Sequence, residues 1–145
     1  GLLNQNSYLN RTAEMSRSGG LLIVFDVDNF KQVNDCYGHL QGDACLAAIA
    51  ACLKKAYARC GYCYRIGGDE FCVLLKNTAR EAACAEEFLR QLEKKRRELT
   101  FLPTVSCGSA PLSGEDVVAV KDQADRAMYH HKKARKERAA AIVPE

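Results

Sequence analysis

The sequence predicts an α+β domain, helices packed on a mostly antiparallel sheet, and three observations lead there. Leu21-Leu22-Ile23-Val24-Phe25 is apolar at every position, as befits a central strand covered on both faces. Residues 62–66 and 71–75 are two further strand-like runs, joined by Gly67-Gly68-Asp69-Glu70 as a hairpin with acids at its tip. Elsewhere apolar residues recur at three- and four-residue steps, the period of helices with one face on a core.

The elements follow in order. The first strand ends in Asp26-Val27-Asp28, so carboxylates stand at its end. A short helix with Phe30, Val33 and Tyr37 on one side comes next, and Gly38-His39-Leu40-Gln41-Gly42 reads as a break. A second helix is expected over 43–58, with Leu46, Ile49, Cys52, Leu53 and Ala56 on its apolar face. The hairpin follows, its glycines permitting positive φ. Thr78 can cap a long helix to about residue 99, with Ala85, Phe88, Leu89 and Leu92 inward and the Lys94-Lys95-Arg96-Arg97 run in solvent. A strand over 104–110, a Pro111/Gly114 turn, a last helix carrying Val117, Val120, Ala124, Ala127 and Met128 inward, and a closing edge strand over 139–143 complete the order β-α-α-β-β-α-β-α-β.

Composition sets the bounds. With 145 residues, 48% of them hydrophobic and 27% charged, the chain is expected to fold as a single domain over 1–145 rather than stay disordered. No window approaches the run of apolar residues that a membrane span needs, and no direct membrane contact is expected. The start, Gly1-Leu2-Leu3-Asn4-Gln5, lacks the pattern of a secretory signal, and the chain reads as a domain excised from a longer protein. A net charge of +3 is too small for a dedicated nucleic-acid binder, so no nucleic-acid partner is expected. Residues 121–138 nevertheless hold seven Lys/Arg against three Asp/Glu, a basic helix fit to meet phosphates or simply to face water.

The eight cysteines fall mostly where small core residues belong, which argues for reduced thiols rather than a disulfide framework. Cys60-Gly61-Tyr62-Cys63 is one CxxC without a second, a weak signal for metal or redox chemistry. His130 and His131 read as surface residues, and His39 as a structural residue of its turn.

If the first strand and the hairpin are neighbours, Asp26 meets Asp69 and Glu70. Like charges that close need a cation, and hard oxygen ligands suit Mg²⁺, which completes its shell with water and phosphate oxygens. Spacing alone leaves open that Asp26, Asp28 and Asp69 are ordinary turn and cap residues.

The motifs go further. Arg65-Ile66-Gly67-Gly68-Asp69-Glu70-Phe71 carries an intact GGDEF signature, and the chain resembles the GGDEF domain, the diguanylate cyclase module. Asp26-Val27-Asp28-Asn29-Phe30-Lys31-Gln32-Val33-Asn34-Asp35 is similar to that family's D-x-D-x-F-K-x-x-N-D segment, and Gly38-His39-Leu40-Gln41-Gly42-Asp43 to its G-H-x-x-G-D. Ser106-Cys107-Gly108 and the helix from Ala124-Asp125 to Lys132 resemble two later motifs, and Gly1-Leu2-Leu3-Asn4 the tail of an entry motif.

The resemblance implies a sheet like that of nucleotidyl cyclases and polymerase palms, and a Mg²⁺-dependent enzyme, with Mn²⁺ as substitute. It would join two GTP molecules into cyclic di-GMP, two domains acting face to face as a homodimer. Asp26, the Val27 carbonyl and Asp69 would hold the metal, and Asn34 and Asp43 would bond the guanine edge. Lys31, Lys132, Lys136 and the backbone at Asn29 and Phe30 would meet phosphates. Glu70 would polarise the 3′-hydroxyl, with Asp69 and Lys31 also at the reaction centre, and Gly67 and Gly68 would admit the nucleotide. An upstream sensor or dimerisation domain and a cytoplasmic location, free or as part of a membrane-bound sensor, are implied as well. The alternative is a catalytically weak GGDEF-like module that senses GTP or docks a partner. The family's R-x-x-D product-binding motif is absent: Ala58 and Gly61 stand in its Arg and Asp positions.

Overall fold

Four strands in the order β2-β3-β1-β4 form one antiparallel sheet in the computed structural model, which describes residues 5–114 and 116–142, the side chains of 5–7, 16–18 and 135–142 excepted. The elements are α1 (Gln5–Ser18), β1 (Leu21–Val27), α2 (Phe30–Tyr37), α3 (His39–Tyr57), β2 (Gly61–Arg65), β3 (Glu70–Leu75), a 3₁₀ turn (Thr78–Arg80), α4 (Glu81–Glu98), β4 (Val105–Pro111) and α5 (Val117–Ile142). The all-apolar run lies between two neighbours, as expected: β1 pairs with β3 on one side and β4 on the other.

Strand alternation divides the core in two. Ile23, Phe25, Val27, Phe71, Val73 and Leu75 point to the face covered by α3 and α4. Leu22, Val24, Tyr64, Cys72 and Leu74 point to the other face, under α5 and α1. By the same alternation Asp26 and Glu70 fall on the α5 face, at the sheet's rim.

Several expectations are corrected. The order lacks the closing edge strand: 139–142 continue α5, because Ala139-Ala140-Ala141 are the strongest helix formers and nothing before them stops the helix. Val143 lies outside the described residues, as does the entry-motif tail Gly1-Leu2-Leu3-Asn4. Helix α1, not anticipated, precedes β1; its mean composition is polar, and Tyr8, Thr12 and Met15 supply its buried stripe. The break after α2 is Gly38 alone, at φ 89°, and His39 to Gly42 form the first turn of α3. The cap before α4 is Asn77, whose side chain accepts from the Ala79 N–H at 3.2 Å and starts the 3₁₀ turn that contains Thr78. Leu89 and Tyr37 face solvent, 60% and 55% exposed. Arg96 is half-buried and donates to the Leu102 and Pro103 carbonyls at 3.1 and 3.2 Å, tying α4 to the loop before β4. His131 is half-buried too, its Nδ1 accepting from the Cys107 N–H at 3.4 Å.

All eight cysteines are free thiols, and Cys45, Cys52, Cys63, Cys72 and Cys84 are buried, as small core residues would be.

Candidate active site

The carboxylates converge through strand register. Asp26 lies opposite Glu70 in the β1–β3 pairing, and the Val27 N–H donates to the Asp69 carbonyl at 3.2 Å, which closes the hairpin tip onto the end of β1. Asp69 is partly buried beside Asp26. Burial, then the like charge of Asp26, raises its pKa above the ordinary carboxylate range.

Helix α5 supplies the opposing charge. Lys132 forms an ion pair with Asp26, and Lys121 Nζ lies 3.1 Å from Glu70 Oε1 and 3.0 Å from Asp125 Oδ2. The helix reaches both acids because it lies directly on β4. A Cβ at Gly108 would collide with the α5 backbone at Ala124 and Met128, so only glycine permits this approach.

Asp28, two residues beyond Asp26, has a different task. Its carboxylate accepts from Ser106 Oγ at 2.7 Å and Thr104 Oγ1 at 2.6 Å, and its N–H donates to the Thr104 carbonyl at 2.9 Å. It clasps β1 to β4 and leaves Asp26 as the carboxylate of this segment that faces the hairpin.

The chain then turns sharply. Asn29 adopts φ 55°, a left-handed conformation that asparagine tolerates better than most side chains, and α2 starts at Phe30. Exposed N–H groups at a helix start favour an anion. Lys31 is exposed beside them. Across the α2–α3 corner, a Cβ at Gly42 would collide with Asn34 Oδ1, so this glycine lets Asn34 lie against the start of α3, next to the exposed Asp43.

The hairpin tip is held otherwise than the glycines suggest. Gly67 and Gly68 are outside the positive-φ region. Instead the Glu70 carbonyl accepts from the Ile66 and Gly67 N–H groups at 3.0 and 3.2 Å. Arg65 also forks onto the Gly67 and Gly68 carbonyls at 3.2 and 2.7 Å. No heavy atom outside the chain neighbours lies within 4 Å of a Cβ built at Gly68, so the tip is open to a ligand.

Asp26, Asp69, Glu70 and Lys132 are thus gathered at one rim, with Asn29, Phe30 and Lys31 on the adjoining turn. Asn34 and Asp43 form a separate corner. The Lys136 side chain lies outside the described residues.

The profile of the family described as "Diguanylate cyclase, GGDEF domain" matches residues 2–138. The chain belongs to the GGDEF family. It is 38% identical over 140 residues to the diguanylate cyclase DgcP of Pseudomonas aeruginosa, covering 87% of this chain and 20% of that protein. Against diguanylate cyclase A of Treponema denticola the identity is 30% over 139 residues, with 90% and 37% covered. Among solved structures, the diguanylate cyclase SiaD of P. aeruginosa in complex with its activator SiaC superposes with a TM-score of 0.81 at 28% identity, over 92% of this chain and 56% of that one. The chain therefore spans about a fifth to two fifths of the curated relatives named here.

GGDEF cyclases use divalent metal ions. The donor set here fits one: two converging carboxylates are hard oxygen ligands, and Mg²⁺ takes one or two of these with waters and substrate phosphates. Among the described residues no cluster of three or more His, Cys, Asp or Glu forms an all-protein cage. Nor is any helix among them long and apolar enough to cross a membrane.

Sequence reasoning missed three contributors: Lys121, Arg65 and the Thr104/Ser106 pair. Lys121 had a readable signal. It stands eleven residues before Lys132, about three helical turns, which puts both lysines on one face of α5.

Proposed function

We propose that this domain condenses two GTP molecules into cyclic di-GMP with release of pyrophosphate, working as a homodimer in which each copy holds one GTP. The convergence of Asp26 and Asp69 beside Lys132 carries this reading. Asp26, the Val27 carbonyl and Asp69 would hold Mg²⁺, or Mn²⁺ in its place. Bound there, the ion supplies Lewis-acid stabilisation of charge on the phosphates. Lys31, Lys132, Lys136 and the N–H groups of Asn29 and Phe30 hold phosphate oxygens. Lys132 then exchanges its Asp26 partner for substrate.

Asn34 and Asp43 read the base, the Asp43 carboxylate accepting from guanine N1–H and N2–H, donors that adenine lacks. Gly67 and Gly68 give the nucleotide close access to the backbone. Glu70 draws the proton from the 3′-hydroxyl, whose oxygen attacks the α-phosphorus of the GTP on the facing copy. That P–O bond forms as the bond to pyrophosphate breaks, and the reciprocal attack closes the ring. GTP is a cytoplasmic substrate, so the domain acts in the cytoplasm, alone or as the inner part of a membrane-bound sensor. An upstream domain that brings two copies together fits the fraction of each relative that this chain spans.

One observation favours a second reading, a GTP-sensing or partner-docking module. Glu70 is engaged by Lys121 and is thereby restrained from the 3′-hydroxyl. Incubation with GTP and Mg²⁺ followed by mass analysis of products separates the two. The cyclase yields cyclic di-GMP, with activity per protomer rising with protein concentration. A sensing module binds GTP and returns it unchanged.

A further inference from the structure

The end of the sheet far from the carboxylates carries a second cluster that the cyclase reading does not use. Cys60 sits in the turn between α3 and β2, fixed on both sides: its N–H donates to the Tyr57 carbonyl and its carbonyl accepts from the Lys76 N–H, each at 2.9 Å. Its Sγ is 3.4 Å from the Sγ of Cys84, in the first turn of α4. Cys60 is half-buried and Cys84 is 3% exposed, so an incoming reagent meets Cys60 first. The other cysteine of the CxxC, Cys63, is buried in the same core, and its thiol donates to the Leu53 carbonyl at 3.8 Å rather than to Cys60. The motif's sequence partner is therefore not its spatial partner.

Both cysteines line an open cavity of about 550 Å³. Lys55, Arg59, Arg80 and Arg90 line it too, against Glu86 and Glu87, so its charge excess is positive. Glu87 is already paired with Arg90. A thiol at the wall of a cationic cavity large enough for a small peptide is the setting for an anionic reagent.

We propose that Cys60 and Cys84 form a thiol–disulfide exchange site for anionic low-molecular-weight disulfides of the glutathione disulfide kind. The Cys60 thiolate attacks one sulfur of the disulfide. A Cys60–glutathione bond forms, the S–S bond of the reagent breaks, and one glutathione thiolate leaves and takes up a proton. Cys84 then gives up its proton and attacks Cys60 Sγ, expelling the second glutathione. Two protein thiols are oxidised, and one glutathione disulfide is reduced to two thiols. Closing the pair needs the two sulfurs to approach by about 1.4 Å, from 3.4 Å to a normal S–S bond.

The second step is helped by the first. Burial pushes the Cys84 thiol up to about 11, together with the hydrogen bond and charge of Cys60, while Arg80 pulls it down. Conversion of Cys60 to a mixed disulfide removes both of its own contributions and leaves Arg80, which brings Cys84 closer to ionisation.

The test treats the purified chain with glutathione disulfide, blocks remaining thiols with N-ethylmaleimide, and maps the products by peptide mass. The wild type is expected to yield a Cys60–Cys84 linked peptide. Cys84→Ser, or Cys84→Ala if the first variant is unstable, is expected to retain one glutathionyl group on Cys60. In Cys60→Ser, Cys84 is expected to stay reduced. Cys60 should react about tenfold faster than the exposed Cys36 of the same chain, an advantage that Arg59→Glu with Arg80→Glu, or high salt, removes. Uncharged hydroxyethyl disulfide should show no such preference. A Cys60–Cys63 link, a reduced Cys60 alongside modified Cys36, or equal rates at the two with the anionic reagent would overturn the proposal.

Discussion

The sheet face under α3 and α4 and the face under α5 share the same four strands but differ in what they bury. Under α3 and α4 the core is continuous and aromatic: Phe25 meets Tyr57 and Phe88 edge-on, with centroids 5.8 and 5.4 Å apart. Under α5 the apolar layer is thinner and polar groups intrude. Thr12 is fully buried, and the Tyr8 hydroxyl and Asp125 Oδ1 are buried without a hydrogen-bond partner among the described residues. Burial, with Cys72 next, pushes Tyr8 up to about 12. Unsatisfied groups of this kind cost stability. The comparison teaches that the fold is secured on one face, while the other carries the charge that Asp26 and Glu70 need at its rim.

If that division holds, substitutions on the two faces separate activity from stability. The largest effect on activity is expected from Asp26→Asn or Asp69→Asn. Each removes one of two anionic anchors, and cyclic di-GMP formation, followed by chromatography, should fall by about a thousandfold or more, with the thermal midpoint close to wild type. Wild-type turnover in both would sink the metal assignment. Phe88→Ala, on the other face, should cost about 3–5 kcal/mol in denaturant unfolding, because it empties the middle of the aromatic cluster.

Asp43→Ser belongs to neither face and should lower the preference for GTP over ATP by about a hundredfold in competition assays, leaving folding unchanged. Lys121→Gln tests the α5 rim. Its ion pairs are partly exposed, so their loss should cost less than about 1 kcal/mol. Burial lowers the Lys121 pKa, but Asp125 and Glu70 outweigh it and the net shift is upward. The small stabilisation should therefore be present at neutral pH and vanish as pH rises through the raised value above 10.5. A urea titration at pH 8 and pH 11 reads the difference. The smallest effect concerns the product: with Ala58 and Gly61 at the positions of the inhibitory Arg and Asp, cyclic di-GMP should bind outside the active site only weakly. Calorimetry on Asp43→Ala that finds tight binding would contradict this.

The strands and the acids were legible because their signals are local. An all-apolar run, a hairpin with glycines, and carboxylates at strand ends need no knowledge of distant partners. The GGDEF and D-x-D motifs then located Asp26 and Asp69 before any geometry was known. What escaped depends on contacts between distant segments. Nothing near Asp28 in the chain says that Thr104 and Ser106 consume its oxygens, and Lys121 acquires meaning only when α5 is laid across the sheet. Helix α1 was missed because a polar helix with a narrow buried stripe has little periodic signal. The end of α5 was misread because the β-branched pair Ile142-Val143 was given more weight than the three alanines before it, whose propensity carries the helix on.

The glycine at position 108 sets a manufacturing tolerance for the whole rim. Lys121 and Lys132 are borne by one rod, and that rod rests on β4 where there is no room for one extra carbon atom. A displacement of α5 by the thickness of a methyl group would detune the Glu70 and Asp26 pairs together, not one at a time. The spacing between helix and sheet, rather than the length of either lysine, is then the dimension that this domain cannot let drift.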